Sequence, residues 1–383
     1  MRFGYTDEQE QFRAIVARFL RERSPISEVR RQMASADGYD SVLWQQLADE
    51  LGITGVHVPE QFGGQGFGYA ELGIALEEMG QALLCAPYFA SSVLATDALM
   101  SVASAAEQHA LLPALVSGAR IATLAWVEAN GDWDVAATTL IATQAGDDLR
   151  LDGHKKFVLD GHHADLLLVV ARTAGTLGDA GLGLYAVEGQ ASGLNRRQLA
   201  TIDTTRRQAE LTFTRTPARR LDADPTSTST SIAAALRGTL DRATIALACE
   251  MVGGARALLN SSVEYAKLRM QFGRPIGSFQ AIKHKCAEML LEVELAASAA
   301  RYAAAAIDEQ DREVPALASM AKAMASDAYM RAATESIQIH GGIGFTWDQD
   351  THLWFKRAKS SEVMLGDASY HRERYLTLTE DAA

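Results

Sequence analysis

Two stretches decide how this chain is read: Arg269-Met270-Gln271-Phe272-Gly273-Arg274-Pro275-Ile276-Gly277, followed by Phe279-Gln280, and Gln338-Ile339-His340-Gly341-Gly342-Ile343-Gly344-Phe345. Both interrupt a region, from Ala233 to the C-terminus, that is Ala-rich and helix-forming, with long runs lacking Gly or Pro. A helix does not pass through Gly273-Arg274-Pro275, because proline lacks the N–H and restricts the residue before it. Taken singly, the two stretches hold an exposed Arg, a core Phe and a helix-ending Gly pair. Their joint occurrence in one helical region is what carries information.

Upstream lie Asp222-Ala223-Asp224-Pro225 and an alternating Thr/Ser run, Thr226 to Ser231, which read as a low-complexity linker or exposed loop. Before it stand short β-type runs: Ile121 to Val127, Thr138 to Thr143, Leu149 to Val158, Ala164 to Ala171 and Leu182 to Val187, with a strand pair through Arg197 to Leu221. Turn signals divide them at Asn130-Gly131, Gly146-Asp147-Asp148, Asp152-Gly153, Asp160-Gly161 and Gly178-Asp179. With no helical runs between these strands, an antiparallel barrel or sandwich is expected rather than a parallel sheet. The N-terminal part is helical. Thr6 and Gln9 form a capping box ahead of Phe12, Ile15, Val16, Phe19 and Leu20. A second helix is predicted through Leu43, Trp44, Leu47 and Leu51, then a break at His57-Val58-Pro59. The glycine cluster Phe62 to Gly68 lacks a GKS/T ending and reads as a turn, and Tyr69 to Val116 is mostly helical. The expected architecture is α+β and mostly α: an N-terminal helical domain (1–119), a middle β-barrel or sandwich domain (120–224) and a C-terminal four-helix bundle (225–383).

The chain has 383 residues, and its 36 Lys and Arg against 48 Asp and Glu give a formal charge of −12. That balance argues against broad binding to nucleic acid or anionic membrane, since both need basic surfaces. No apolar run reaches a membrane span, and Met1 to Phe12 is polar and acidic, unlike a secretory signal, so a cytoplasmic protein is expected. Cys85, Cys249 and Cys286 are too few and scattered for a disulfide framework or zinc site, and read as small core residues. No metal is expected at His162-His163: as adjacent strand residues they would point to opposite faces, with no acidic or Cys partner at ligand spacing. The tail His371-Arg372-Glu373-Arg374 reads as a charged helix end.

The paired stretches, with Pro59 to Gly66 and Lys356-Arg357-Ala358-Lys359, make the whole chain resemble the acyl-CoA dehydrogenase family. The resemblance implies α,β-dehydrogenation of an acyl-CoA thioester, FAD as cofactor, an electron-transfer flavoprotein as acceptor and a tetrameric assembly. FAD carries the hydride chemistry, and the protein supplies positioning and a base. On this resemblance Arg269 offers a planar fork to the FAD pyrophosphate. Phe272 lies against the adenosine half, Gln271, Gln280 and Gln338 hydrogen-bond the cofactor, and Gly341 and Gly342 let backbone approach a phosphate.

The catalytic Glu of the family is missing. Its two known locations fall on Leu365, just before Gly366, and on Ala243. Thr244 stands where many members carry Arg, although Asp241 is kept. The flavin-contacting segment matches Val127-Glu128-Ala129-Asn130 and Phe157-Val158-Leu159, with aliphatic Val127 and Leu159 in place of hydroxyls, and Trp133 replaces a small residue. In the family each FAD lies across two subunits, so this chain keeps what serves a neighbour's FAD and lacks what serves its own. That resembles the non-catalytic subunit of α2β2 acyl-CoA dehydrogenases acting on steroid side-chain CoA thioesters. It implies a catalytic partner that binds acyl-CoA, and half the usual flavin content. Two other readings stay open: a competent homo-oligomer with a displaced base, Asp367 or Glu362, and a flavin-free acyl-CoA-binding scaffold.

Overall fold

The computed structural model describes residues 4–145, 148–222 and 229–380. Helix α1 (Asp7–Arg23) starts with the expected capping box. Thr6 Oγ1 accepts from Gln9 N at 3.2 Å, and the Gln9 side chain accepts from Thr6 N at 3.0 Å. Helix α2 (Ile26–Ala34) was not anticipated: Ile26, Val29 and Met33 recur at helical spacing, but over only nine residues, and the helix buries just Val29 and Gln32. Asp40 caps α3 (Ser41–Asp49) by accepting from Val42 N and Leu43 N. The glycine cluster is a turn, as expected. Gly64 must be glycine because a Cβ there would stand 2.0 Å from Val58 O. Helix α4 (Tyr69–Ala82), a π-helical stretch (Phe89–Ala95), α5 (Thr96–Val102) and α6 (Ala105–Val116) complete the N-terminal helices.

The strands are β1 (Ala122–Ala125), β2 (Ile141–Ala145), β3 (Asp148–Leu159), β4 (Leu166–Thr173), β5 (Leu182–Glu188), β6 (Leu194–Gln198) and β7 (Gln208–Arg220). Five of them close a barrel in the order β4-β2-β3-β7-β5 and back to β4. The barrel is not wholly antiparallel. β1 and β2 both run parallel to β4, Ala122 opposite Leu166 and Ile141 opposite Arg172, so they share one edge of β4 end to end. They behave as one strand line interrupted by an excursion through residues 126–140. The unbroken apolar run of β4, buried from Leu166 to Arg172, suits its central place in the sheet.

Helix α7 (Ser229–Leu268) leads to a hairpin of β8 (Met270–Gln271) and β9 (Arg274–Pro275). Then come α8 (Gln280–Asp308), α9 (Val314–His340), α10 (Thr351–Val363) and α11 (Ala368–Glu380), the last a fifth helix packed on α9. Alanines such as Ala296, Ala300 and Ala303 on α8 and Ala321, Ala325 and Ala332 on α9 are buried, small enough to let helices approach closely. The expected linker differs in detail: Asp222 is buried and paired with Arg220, Ser229 already begins α7, and residues 223–228 lie outside the described set. Gly146 and Asp147 of the expected turn lie outside it too.

The chain packs as two units. One runs up to Met33, resumes for Gly68–Leu84 and takes the chain from Thr244 onward; the other comprises Ala34–Phe67 and Cys85–Ala243. No helix among the described residues is long and apolar enough to cross a membrane. Cys85 and Cys249 are buried, whereas Cys286 is half-exposed rather than core.

Candidate functional site

Leu268 ends α7, and the backbone of Arg269 then closes the hairpin base: its N–H donates to Tyr265 O and its carbonyl accepts from Ile276 N, both at 2.8 Å. Met270 pairs with Pro275 and Gln271 with Arg274, leaving a two-residue turn of Phe272 (φ +53°) and Gly273 (φ +76°). Two positive φ values are what a type I′ hairpin turn demands, and Phe is costly there. Its ring is nevertheless 90% exposed. The nearest aromatic is Phe279, met edge-on at 6.1 Å, while the Arg274 guanidinium lies over Phe279 at 4.1 Å.

Arg269, Gln271, Gln280, Gln338, Gly341 and Gly342 are also exposed. At the end of α9, Gly341 adopts φ +66° and ψ −148°, a region open only to glycine. A Cβ added at Gly273, Gly341 or Gly342 would meet nothing within 4 Å. His340 stacks on Tyr265 at 4.2 Å, and the Tyr265 hydroxyl donates to His340 O at 3.5 Å. One contact thus ties the Arg269 end of α7 to the Gly341 end of α9. The result is a Cβ-free cradle, a strained exposed aromatic and a guanidinium turned outward. Those features fit a diphosphate and adenine ring arriving from outside the chain.

The base positions hold no acid. Ala243 and Leu365 are buried. Leu365 keeps a left-handed backbone (φ +61°) ahead of Gly366 (φ +102°), and two side chains brace this turn. Lys322 Nζ donates to Gly366 O at 2.9 Å, Glu362 O at 3.0 Å and Ser326 Oγ at 3.1 Å, matching the three donors of an ammonium. Burial pulls Lys322 down to about 7, against the opposing pull of Glu362 and Asp367. His371 holds Leu365 O at 3.0 Å through Nε2; it is 1% exposed, so it is a core residue and not part of a charged helix end. Burial, aided by Lys322, lowers it to about 4. Of the alternative bases, Asp367 caps α11 by accepting from Tyr370 N at 2.8 Å, and Glu362 is paired with Lys359 at 2.5 Å.

In the barrel unit, the excursion between β1 and β2 begins with Trp126, Val127 and Glu128, all buried, and Trp133 tilts against Trp126 at 5.9 Å. Leu159 is buried, its carbonyl accepting from Thr123 Oγ1 at 2.6 Å. Neither Val127 nor Leu159 offers a hydroxyl, so this half does not fit a flavin ring in the manner the resemblance implies. The segment is anchored by a buried ion pair. Lys155, wholly buried, donates to Glu128 Oε1 and to Trp126 O, both at 2.8 Å. Burial lowers Lys155 to about 8 despite Glu128. Burial also raises Glu128, but Lys155 and the donors at Thr139 and Leu140 outweigh it and leave its carboxyl below the ordinary value.

Lys155, Lys322 and His371 were missed by sequence reasoning. The available signal was a lone Lys at core spacing, as in Ala321-Lys322-Ala323. His162 and His163 occupy a turn after β3 rather than a strand. Their rings therefore lie on the same side, with centroids 4.4 Å apart, and Asp160 is close by.

Comparison with known proteins gives one answer along the whole chain. Residues 6–119, 123–216 and 232–376 match the family models for the N-terminal, middle and C-terminal domains of acyl-CoA dehydrogenase. The chain is 34% identical over 359 residues to acyl-CoA dehydrogenase IpdE2 of Mycobacterium tuberculosis, covering 94% of this chain and 93% of that one. Among solved structures it is similar to a chain of the Tcur3481-Tcur3483 steroid ACAD, with 31% identity, TM-score 0.86 and 98% of both chains covered. It is also similar to a chain of the ChsE4-ChsE5 complex from Mycobacterium tuberculosis, with 28% identity, TM-score 0.86 and 98% and 97% covered.

Proposed function

Because the chain belongs to the acyl-CoA dehydrogenase family, whose members are FAD-dependent oxidoreductases acting on acyl-CoA, we propose that it is the non-catalytic subunit of a heteromeric acyl-CoA dehydrogenase. The observation that carries this reading is an asymmetry. The half-site built from Arg269, Gln271, Phe272, Gln280, Gln338, Gly341 and Gly342 is intact and turned outward, while the two base positions are Ala243 and Leu365. The chemistry FAD supplies when bound is acceptance of the substrate's β-hydride. This chain's part is to grip the diphosphate with Arg269 and the Gly341-Gly342 backbone, and to cover the adenine with Phe272.

The α-proton of a thioester needs a positioned carboxylate, and losing such a base costs about 10²–10⁴-fold in rate. That role falls to the partner, together with the flavin ring and the acyl-CoA. The steroid ACAD and the ChsE4-ChsE5 complex, both similar in structure, support a heteromeric assembly, and the first supports a steroid-derived CoA thioester as substrate class. Electrons leave to an electron-transfer flavoprotein, and the complex works in the cytoplasm.

The test is co-expression with a family member that carries Glu at one of the two base positions. The expected product is a 1:1 complex with one FAD per two chains. Its activity is lost on mutating the partner's Glu, and its FAD is lost on Arg269→Ala in this chain. A homo-oligomer of this chain alone, holding one FAD per chain and reducing it with an acyl-CoA, would sink the proposal.

A further inference from the structure

We propose that Asp160, His162 and His163 form a divalent transition-metal site, of the kind that takes Zn²⁺, in the turn that follows β3. The turn gathers them. Asp160 adopts φ +52°, and its carbonyl accepts from His163 N at 3.2 Å and Ala164 N at 3.1 Å, so the chain folds back over the Asp160 side. One donor atom from each residue lies within 4.8 Å of the others.

The two imidazoles stand close enough to share an ion after a side-chain rotation. His162 Nε2 is 3.3 Å from Asp37 O; donating there leaves Nδ1 with its lone pair. A hydrogen bond to a backbone carbonyl is what metal-bound histidines ordinarily make with the nitrogen that does not bind the metal. His163 Nδ1 stands 3.4 Å from that His162 Nδ1. It lies nearer to His162 Nε2 than to Nδ1, so in the ion-free turn it faces the His162 ring, and that ring must turn its Nδ1 toward His163 before the two can share an ion. Without an ion, His163 Nδ1 also has His162 Nε2 at 3.1 Å, the contact that metal binding would replace. Tyr39 stacks on His163 at 4.9 Å and holds its ring plane. Asp160 is buried beside the rings, which are half-buried, so water can take a fourth position.

Arg196 and Arg207 lie near enough to His162 to oppose a cation here, which weakens the site. Occupancy would staple the segment holding Asp37 and Tyr39 to the end of β3, next to Leu159. The site is independent of the proposed subunit role.

The experiment uses the full-length chain with any affinity tag removed. Zn²⁺ is titrated by calorimetry, metal content is measured after desalting, and melting is followed with and without Zn²⁺. Expected are one zinc per chain, a melting temperature raised by saturating zinc, and at least about tenfold weaker binding in His162→Gln and Asp160→Asn. His162 is half-exposed, so a His162→Gln variant that melts like wild type without zinc, yet has lost binding, isolates the ligand role from folding. No saturable binding at a 1:1 ratio overturns the proposal. Equal zinc affinity in wild type and in the His162→Gln/His163→Gln double variant overturns it too, by placing the metal elsewhere.

Discussion

Replacing Glu128 by alanine removes the counter-charge of a wholly buried ammonium. Glu128 accepts from Lys155 Nζ at 2.8 Å, from Thr139 N and Leu140 N at 2.9 Å, and from the Thr139 hydroxyl. Breaking one side of a buried pair costs about 3–5 kcal/mol. The Lys155 share has a ceiling, because the ammonium can release its proton. Because burial already lowers Lys155 to about 8, releasing its proton at pH 7 costs only about 1.4 kcal/mol, and the rest of the loss comes from the Thr139 and Leu140 donors left without an acceptor, about 1–3 kcal/mol each. A net loss of about 4 kcal/mol follows, equivalent to a melting temperature lower by about 10 °C for a folding unit of this size. Scanning calorimetry of wild type, Glu128→Ala, Lys155→Met and the double variant reads it directly. The double variant should recover part of the Glu128→Ala loss, since no bare charge is then left inside. A Glu128→Ala shift below about 2 °C, or strict additivity of the two single variants, would refute the reasoning.

Two further outcomes are expected. Phe272→Gly relieves a left-handed backbone at a residue that buries almost nothing, so the lone chain should melt no lower than wild type, while the complex holds FAD about tenfold less tightly; flavin retention on dilution checks both halves. His371, lowered to about 4 in the fold against 6.5 unfolded, binds fewer protons folded than unfolded between those values. Stability should therefore fall by about 3 kcal/mol as pH drops from 6.5 to 4. Urea unfolding across that window should lose this component in His371→Gln, and an unchanged pH slope would count against the buried neutral imidazole.

Much of the local structure was legible because it is set by neighbours in sequence. The Thr6–Gln9 capping box needs only a three-residue spacing, and each β-type run corresponds to a strand within a few residues. Helix α2 escaped because it is only nine residues long, too short for the Ile26, Val29 and Met33 spacing to stand out beside α1. The end of α9 at Gly341 was legible too, since glycine marks backbone that other residues rarely tolerate. The bracing around Leu365 was not. Lys322 and His371 are remote from that turn along the chain or look like surface groups, and only their burial reveals what they hold.

By itself the sequence determined residue chemistry: no carboxylate at 243 or 365, aliphatic side chains at 127 and 159, and the intact Arg269 and Gly341-Gly342 stretches. These are statements about atoms that are present or absent, and no fold can alter them. Tertiary structure alone decided which distant segments share an edge or a side. It set β1 and β2 along one edge of β4 with the 126–140 excursion between them, and it turned His162 and His163 toward each other beside Asp160. The physical reason is that strand pairing and turn closure depend on hydrogen-bond partners far away or on backbone angles that residue identity only biases. A period-two reading of two adjacent histidines holds in a strand and fails in a turn.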